Sequence, residues 1–436
     1  MKGKAMNLKN RMCGRNLNRG GVLLAASLLA VHRVGGAPVL MGPPPVNTAP
    51  PAAQDDATNN VMNVFLPSGL VNGNLPEPFQ YGPVTFRPHV SYSVSYGNGI
   101  QAGTSGAQDT VIQQLSPGLT VDLGRQWSLD YTPTIIFYSS KQLQDGVNHA
   151  AALNGGISYE DWAFSLMQGY SSTDEPTFET GAQTSQQTYS TALGAHYAFS
   201  DKMSADFGVN QLFNFVENFQ DSYNWSTMEW VNYAFSPRLN AGLGAGAGYT
   251  IVKDNSGAGV NNPDAVNEQL QARINWRATG KISFQASGGL EDEQFLAAGY
   301  SDSLNPIFSA AIQYQPFQVT QISLAASRTV GTSDYYIIAQ STESTTVSLN
   351  LNQRVLVKYH LNLGVGYTKT DYTVALAGFG SGSRTDDIYS FNASFGRSFL
   401  KRGNWAITYQ YSDDASNTGG YSQRSNQIGF QIGYSY

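Results

Sequence analysis

Apolar and polar residues alternate with a period of two from about residue 83 to the end of the chain. In the first such run Phe86, Val90 and Tyr96 fall on one face, whereas Arg87 and His89 fall on the other. Alternation of this kind predicts a β-strand with one apolar and one polar face. Because the pattern returns in about 18 runs, the sequence predicts an all-β chain of about 18 strands (16–18).

The connections between these runs alternate between short and long. Short turns fall at positions such as Glu160-Asp161 and Ser236-Pro237. Longer polar stretches lie between them, at 97–108, 171–184, 254–264, 291–304 and 412–424. Short turns on one side and long loops on the other are typical of outer-membrane barrels. The sequence therefore predicts a transmembrane antiparallel up-and-down β-barrel over 83–436, with both termini on the periplasmic side.

Composition excludes the main alternatives to such a barrel. Charged residues make up only 13% of the chain and aromatic residues 12%. Soluble domains carry about 25% charged residues, and disordered chains carry few aromatics. A β-propeller also repeats about every 40 residues, but it needs four short strands per unit, whereas each unit here holds two long ones.

The first 82 residues precede the predicted barrel. Residues 1–37 have the pattern of a secretory signal peptide, with basic residues, an apolar run and then small residues. A retained anchor is the alternative interpretation, although the run has about half the length needed to span a bilayer. Residues 38–60 are predicted to be a Pro-rich disordered linker, and 61–82 an irregular segment that could enter the lumen. Together with the barrel pattern, the signal peptide predicts the outer membrane of a Gram-negative bacterium.

Aromatic residues cluster beside the short turns and at the end of the chain. Pairs such as Tyr159 with Trp162 and Tyr233 with Phe235 predict an aromatic girdle at the membrane boundary. The last strand carries a candidate signal for the barrel-insertion machinery, formed by Phe430, Ile432, Tyr434 and Tyr436.

The polar face of the strands predicts which residues line the lumen. The charged and titratable candidates are Arg87, His89, Asp122, Asp130, Asp206, Arg273, Arg277, Lys281, Lys358 and His360. The uncharged candidates are Gln113, Asn210, Asn275 and Asn362. One interpretation is an anion-favouring patch at Arg273, Arg277 and Lys281. The other is a set of polar residues that merely wet a channel wall.

A stripe of alternating glycines is the most specific local feature. Gly242, Gly244, Gly246 and Gly248 all fall on the predicted lumen face of one strand. A run of glycine in a strand often marks close approach by another segment. We therefore predict that residues 61–82 or an infolded loop pack against the stripe. Strand flexibility or a wider lumen is the alternative.

The sequence predicts no catalytic, metal or cofactor site. The histidines have neither metal-ligand spacing nor a neighbouring nucleophile motif. Acidic groups at 291–293, 386–387 and 413–414 are predicted to lie in outer loops. Solvated loop residues are the favoured interpretation, and binding of divalent or lipopolysaccharide-linked cations is the alternative. The acidic balance, a formal net charge of −6 over the full chain, argues against nucleic acid as a partner.

Three short segments resemble a known family. Residues 88–96, Leu115-Ser116-Pro117-Gly118-Leu119 and Leu129-Asp130-Tyr131-Thr132-Pro133 are similar to the β-barrel porins associated with exopolysaccharide gene clusters. The resemblance covers roughly 83–170 at motif level and the rest only by strand pattern. It implies an outer-membrane porin beside polysaccharide export proteins, with no catalytic residues.

The function predicted from these observations is a passive channel for small solutes or polysaccharide. A non-conducting structural or surface-binding barrel and a barrel hydrolase are the two alternatives. Outer-membrane lipid and lipopolysaccharide are the expected surroundings.

Overall fold

The computed structural model describes residues 79–101, 106–177, 182–255, 262–297, 300–334, 341–373, 384–400 and 402–436. The predicted signal peptide, the linker and residues 61–78 lie outside these ranges. No helix among the described residues is long and apolar enough to cross a membrane.

Eighteen long strands and one two-residue strand make up the fold. Their bounds are β1 Gln80–Tyr81, β2 Val84–Gln101, β3 Ala107–Leu123, β4 Trp127–Tyr138, β5 Gly146–Tyr159, β6 Trp162–Thr177, β7 Ala182–Ala198, β8 Met203–Val216, β9 Gln220–Ser236, β10 Leu239–Asp254, β11 Ala265–Trp276, β12 Ile282–Phe295, β13 Ser303–Phe317, β14 Thr320–Gly331, β15 Ser341–Val355, β16 Tyr359–Thr373, β17 Arg384–Phe399, β18 Gly403–Ser416 and β19 Gln423–Ser435.

The long strands close into one antiparallel barrel. Each of β2–β19 pairs with its neighbour in the chain, and β19 pairs back onto β2 from Asn426 opposite Asn98 to Ser435 opposite His89. Closure leaves no unpaired sheet edge, because every long strand has a partner on both sides. The predicted 18-stranded up-and-down barrel is confirmed.

The two ends of the barrel differ in their connections. At the turn end the strands are joined by two to five residues, and at the loop end by three to ten. The predicted extent of the long loops was wrong, because β2 continues to Gln101, β12 to Phe295 and β18 to Ser416. These strand ends are mostly polar on both faces, so their sequence is typical of loops, yet strand pairing satisfies their backbone groups.

Strand register separates the residues that face outward from those that face inward, since directly paired residues share a face of the sheet. Val231, Leu243 and Leu270 lie on the outer face, with exposures of 55%, 69% and 68%. Gln113 is paired with Val94, so it also faces outward, contrary to the sequence prediction. Gln113 alternates in step with the apolar residues Val111 and Leu115 of β3, which face outward, and not with the residues that line the lumen.

Aromatic rings form two groups along the outer face. Near the turn end Trp162 lies 4.6 Å from Tyr197, and Tyr233 lies 4.9 Å from Phe235, measured between ring centroids. A second group lies nearer the loop end, where Trp225 is 5.1 Å from Phe213. Tyr233 and Trp225 share β9, and the intervening stretch of a tilted strand spans roughly 20 Å along the barrel axis. This spacing suits the apolar band of an outer membrane.

The described end of the pre-barrel segment lies at the turn end. β1 pairs with Val84 and Thr85, and Phe79 packs 5.6 Å from the ring of Tyr436. Tyr81 is 84% exposed. The entry of residues 61–78 into the lumen stays a prediction.

Candidate functional site

The lumen wall is the candidate functional site, and its most connected group is centred on Asp206 of β8. The Asp206 carboxylate accepts a hydrogen bond from Asn232 at 2.9 Å, contacts His196 Nδ1 at 2.5 Å and forms an ion pair with Arg273. Arg273 Nε also donates to Asn232 Oδ1 at 2.9 Å. The Arg273 guanidinium lies 4.3 Å from the ring centre of Trp230. We call these five residues the Asp206 cluster.

Gly242 leaves the space through which the side chains of the Asp206 cluster meet across β10. Arg273 belongs to β11 and Asp206 to β8, so the ion pair spans β9 and β10. Gly242 lies on β10 directly opposite both Asn232 and Arg273. A Cβ at Gly242 would lie 2.5 Å from Asn232 Oδ1 and 3.4 Å from Arg273 Nε. Because Gly242 has no side chain, the Arg273 guanidinium can extend across β10 to reach Asn232 and Asp206.

The rest of the glycine stripe is covered by side chains of the adjacent strands. A Cβ at Gly244 would lie 2.6 Å from the Trp230 ring, and one at Gly246 would lie 2.7 Å from Met228 Sδ. Asn267 of β11 covers Gly248 in the same way. Among the described residues, neighbouring strands supply the atoms nearest each of these glycines, and the packing of residues 61–82 or an infolded loop against the stripe stays a prediction. Residues 61–78 lie outside the described ranges.

A second polar group lies on β2, β3 and β4. Arg87 forms an ion pair with Asp122. Asp130 accepts hydrogen bonds from Thr120 Oγ1 at 2.6 Å and from Thr132 Oγ1 at 2.9 Å. His89 Nε2 lies 2.9 Å from Thr132 Oγ1, and its ring occupies the space left by Gly118. A glycine again makes room for a longer neighbour on the wall.

Three predicted lumen residues lie at the rim of the turn end instead of on the wall. Arg277, Lys281 and Lys358 are exposed and fall in the connections between strands. Lys281 Nζ donates to the carbonyl oxygen of Pro316 in the next turn at 2.8 Å. Because Arg273 is paired with Asp206, the structure brings together no anion-favouring patch of the predicted kind. His360 is half-buried on β16, opposite Gly396.

The wall opposite the Asp206 cluster is uncharged at mid-strand. There β15–β19, β2 and β3 present amides, hydroxyls and glycines to the lumen, among them Ser348, Asn350, Asn362, Gly364, Asn392, Ser394, Thr408, Gln410, Gln427, Gln431, Ser93 and Gln114. The Asn350 and Asn392 side chains converge on Gly364, 2.8 and 2.6 Å from where its Cβ would lie. Sequence parity placed Asn362 on the lumen face, but it could not show that it belongs to one continuous neutral surface.

The described start of the loop after β14, at Ser333 and Asp334, contacts the β8–β11 side of the loop end. Its Asp334 accepts a hydrogen bond from Asn214 Nδ2 of β8 at 3.0 Å, through Oδ2. The Asp334 carbonyl oxygen accepts from Gln220 N of β9 at 3.0 Å, and the Ser333 carbonyl oxygen accepts from Asn262 Nδ2 at 3.1 Å. Gln220 and Asn262 are almost fully buried. Ser333 and Asp334 therefore cover part of the β8–β11 side of the loop end.

The acidic groups predicted to lie in outer loops are instead parts of strands. Strand alternation divides each group between the two faces, so Glu291 and Glu293 face inward and are buried, whereas Asp292 faces outward. Asp386 and Asp414 likewise face inward and are buried, and Asp413 pairs outward with Arg424 at 2.6 Å. No group of three or more His, Cys, Asp or Glu residues that could hold a metal ion occurs among the described residues.

Comparison with known proteins finds similarity in solved structures only. No family model and no curated protein matches the chain. The siderophore receptor PirA from Pseudomonas aeruginosa has 10% identity and a TM-score of 0.43, with 80% of each chain covered. OccAB3 from Acinetobacter baumannii has 9% identity and a TM-score of 0.45, covering 80% of this chain and 99% of that one. OpdL from Pseudomonas aeruginosa has 14% identity and a TM-score of 0.43, covering 80% and 98%. Likeness at this level carries no inference about function.

The outer face of the barrel indicates that lipid surrounds the protein. Large apolar side chains such as Leu243, Leu270 and Ile428 are more than half exposed there. A closed barrel satisfies its backbone hydrogen bonds internally, and an apolar exterior between aromatic groups is stable only in lipid. The chain is a Gram-negative outer-membrane β-barrel. Its lumen, by contrast, is polar.

Replacing Arg273 with glutamine is expected to shift the barrel toward cation selectivity. The change removes the positive partner of Asp206, whose side chain is 18% exposed, and so leaves an uncompensated negative charge on the wall. The reversal potential in a potassium chloride gradient measures the shift. Lys281→Gln is the matched control, because it removes the same charge at the exposed rim, where salt screens it. Equal shifts in the two variants would contradict a role for the Asp206 cluster in selectivity.

Proposed function

We propose that this protein is a passive, porin-like channel. The observation that carries the proposal is a closed ring of 18 strands whose inner face is mostly polar. Barrels of 16–18 strands are wide enough to leave an aqueous passage. Small hydrophilic solutes would cross along this wall by diffusion.

The loop end is the narrow part of the proposed passage. The loop at Ser333 and Asp334 covers part of the β8–β11 side, and the end of β6 at 175–177 lines the same cavity as β2, four strands away. Both segments therefore lie over the lumen rather than beside it. The passage would be selective by size at this end and wider toward the turn end.

Single-channel recording of the full chain in a planar bilayer tests the proposal. A channel gives discrete current steps of uniform size, since each inserted barrel adds one passage. A protein that inserts, shown by protease protection, but gives no steps would be a structural or surface-binding barrel. Release of fatty acid or peptide from reconstituted substrate would favour the hydrolase alternative.

The finer proposal is a place in exopolysaccharide export. The resemblance of residues 88–96 and 115–119 to porins of exopolysaccharide gene clusters supports it, as does the neutral wall of amides and hydroxyls. In this proposal the turn end and both termini lie on the periplasmic side, beside polysaccharide export proteins. Deletion of the gene would then lower the amount of secreted polysaccharide while uptake of small solutes through other porins continues.

Lipopolysaccharide is proposed to contact the outer face between the loop end and the aromatic group that lies nearer to it. There Lys369 pairs with Asp371 at 2.6 Å and Arg424 pairs with Asp413 at 2.6 Å. Charges of both signs suit a polar headgroup layer and would be costly among acyl chains.

A further inference from the structure

The neutral wall contains a concave pocket near the loop end. It lies between β18, β19, β2 and β3 and the end of β6. The side chains that face it are mostly amides and hydroxyls: Gln114, Gln410, Gln423, Gln427, Gln431, Ser93, Ser95, Ser425 and Thr408. Ile100, Ile112 and Pro176 supply an apolar side. We call this the glutamine pocket.

Several polar groups of the glutamine pocket are free to bind a ligand. Gln410, Gln427 and Gln431 are half-buried, and their side-chain amides make no hydrogen bond with any residue that the structure describes. Each amide offers one oxygen acceptor and two N–H donors. The adjacent Ser412, which is 1% exposed, has a hydroxyl without a partner among the described residues. Buried polar groups are normally paired, so the unpaired Ser412 hydroxyl, opposite the lining residue Ser425 and next to these open amides, indicates a place for a polar ligand.

The lining also determines the charge of that ligand. Glu175 is the one charged side chain among the lining residues, and it lies at the β6 edge, where it accepts a hydrogen bond from Asn148. An anion finds no cationic side chain in the lining, and a cation finds only Glu175, which already accepts a hydrogen bond from Asn148. A carboxylate ligand would therefore lose its hydration without an ionic partner, and an ammonium ligand would have to compete for a carboxylate that is already hydrogen-bonded, which is costly.

We infer that the glutamine pocket binds a neutral, polyhydroxylated ligand, such as one ring of an uncharged sugar. Hydroxyl groups donate and accept hydrogen bonds, as the amides do, and the C–H face of a sugar ring suits the side of the pocket at Ile100 and Ile112. This inference rests on the proposed channel function, because a site within the lumen serves a solute that passes through it.

Binding of maltotriose to the full chain in detergent tests the inference. Calorimetry measures it without requiring conduction, so this arm is independent of the channel proposal. Saturable binding of maltotriose is expected, and the trisaccharide of galacturonic acid should bind at least about tenfold more weakly because it is charged. No saturable binding, or equal binding of both sugars, would overturn the inference.

A pair of variants locates the site. Gln427→Leu with Gln431→Leu keeps the side-chain size but removes two amides, and should weaken maltotriose binding about tenfold. Gln285→Leu with Gln313→Leu makes the same change on β12 and β13, elsewhere on the wall, and should leave binding unchanged. Unchanged binding in the first variant would place the sugar elsewhere.

Single-channel recording then separates the pocket proposal from the channel proposal. Current steps that maltotriose does not interrupt would count against the pocket. Absence of current steps despite maltotriose binding would count against the channel.

Discussion

Replacing Gly244 with leucine is expected to prevent most of the chain from reaching its folded barrel. The new side chain would occupy the place of the Trp230 ring, which lies 2.6 Å from the Cβ position and in turn supports Arg273. Overpacking together with loss of the cation–π contact should destabilise the barrel by at least about 3 kcal/mol. The fraction that migrates as compact barrel in an unheated gel, measured across a urea series, reports the loss.

Gly280→Leu is the control for this prediction. Gly280 lies in a turn-end connection, and a Cβ there would meet no atom within 4 Å. The substitution should therefore leave the urea midpoint close to that of the wild type. A Gly244→Leu barrel as stable as the Gly280→Leu barrel would show that Trp230 moves aside freely and that the stripe is not needed for packing.

Releasing the loop after β14 is expected to raise the conductance of the channel. Asn214→Ala with Asn262→Ala removes the side-chain hydrogen bonds to Asp334 and Ser333, at 3.0 and 3.1 Å. Two hydrogen bonds of about 1 kcal/mol each shift the equilibrium between the docked and undocked loop roughly 30-fold toward undocking. Single-channel recording should show larger current steps, or frequent transitions to a larger open level.

The control for the loop prediction changes amides that the loop does not contact. Asn350→Ala with Asn392→Ala removes two side chains from the neutral wall, remote from Ser333 along the strand register. These variants should alter the step size far less. Equal increases in both double variants would mean that lumen volume, rather than the position of the loop, controls conductance.

Much of this fold could be predicted because the sequence signal of a barrel strand is local. Alternation along β2, from Phe86 to Tyr96, assigns each residue to a face without knowledge of its partners. The short turns, such as the one at Glu160-Asp161, divide the chain into hairpins. Antiparallel hairpins in sequence order leave few topologies, so strand number and closure could follow from the pattern.

The contents of the lumen could not be predicted to the same degree, since they depend on register between strands. Arg273 and Asp206 are far apart in the sequence, and their contact requires both the pairing of β8–β11 and an empty position at Gly242. Charged residues next to turns were also ambiguous. Parity alone assigned Lys281 to the wall, whereas the strand begins one residue later, at Ile282.

The pairing of β19 with β2 makes completion of the barrel depend on the last of its strands to be synthesised. Until Ile428–Ser435 exist, β2 and β18 each present an unpaired edge, and neither edge is tolerated in lipid. A chain that lacks β19 therefore has no stable membrane form, even when its other strands are paired. Full-length synthesis becomes a condition for insertion, and truncated chains should remain outside the membrane, where proteases can remove them.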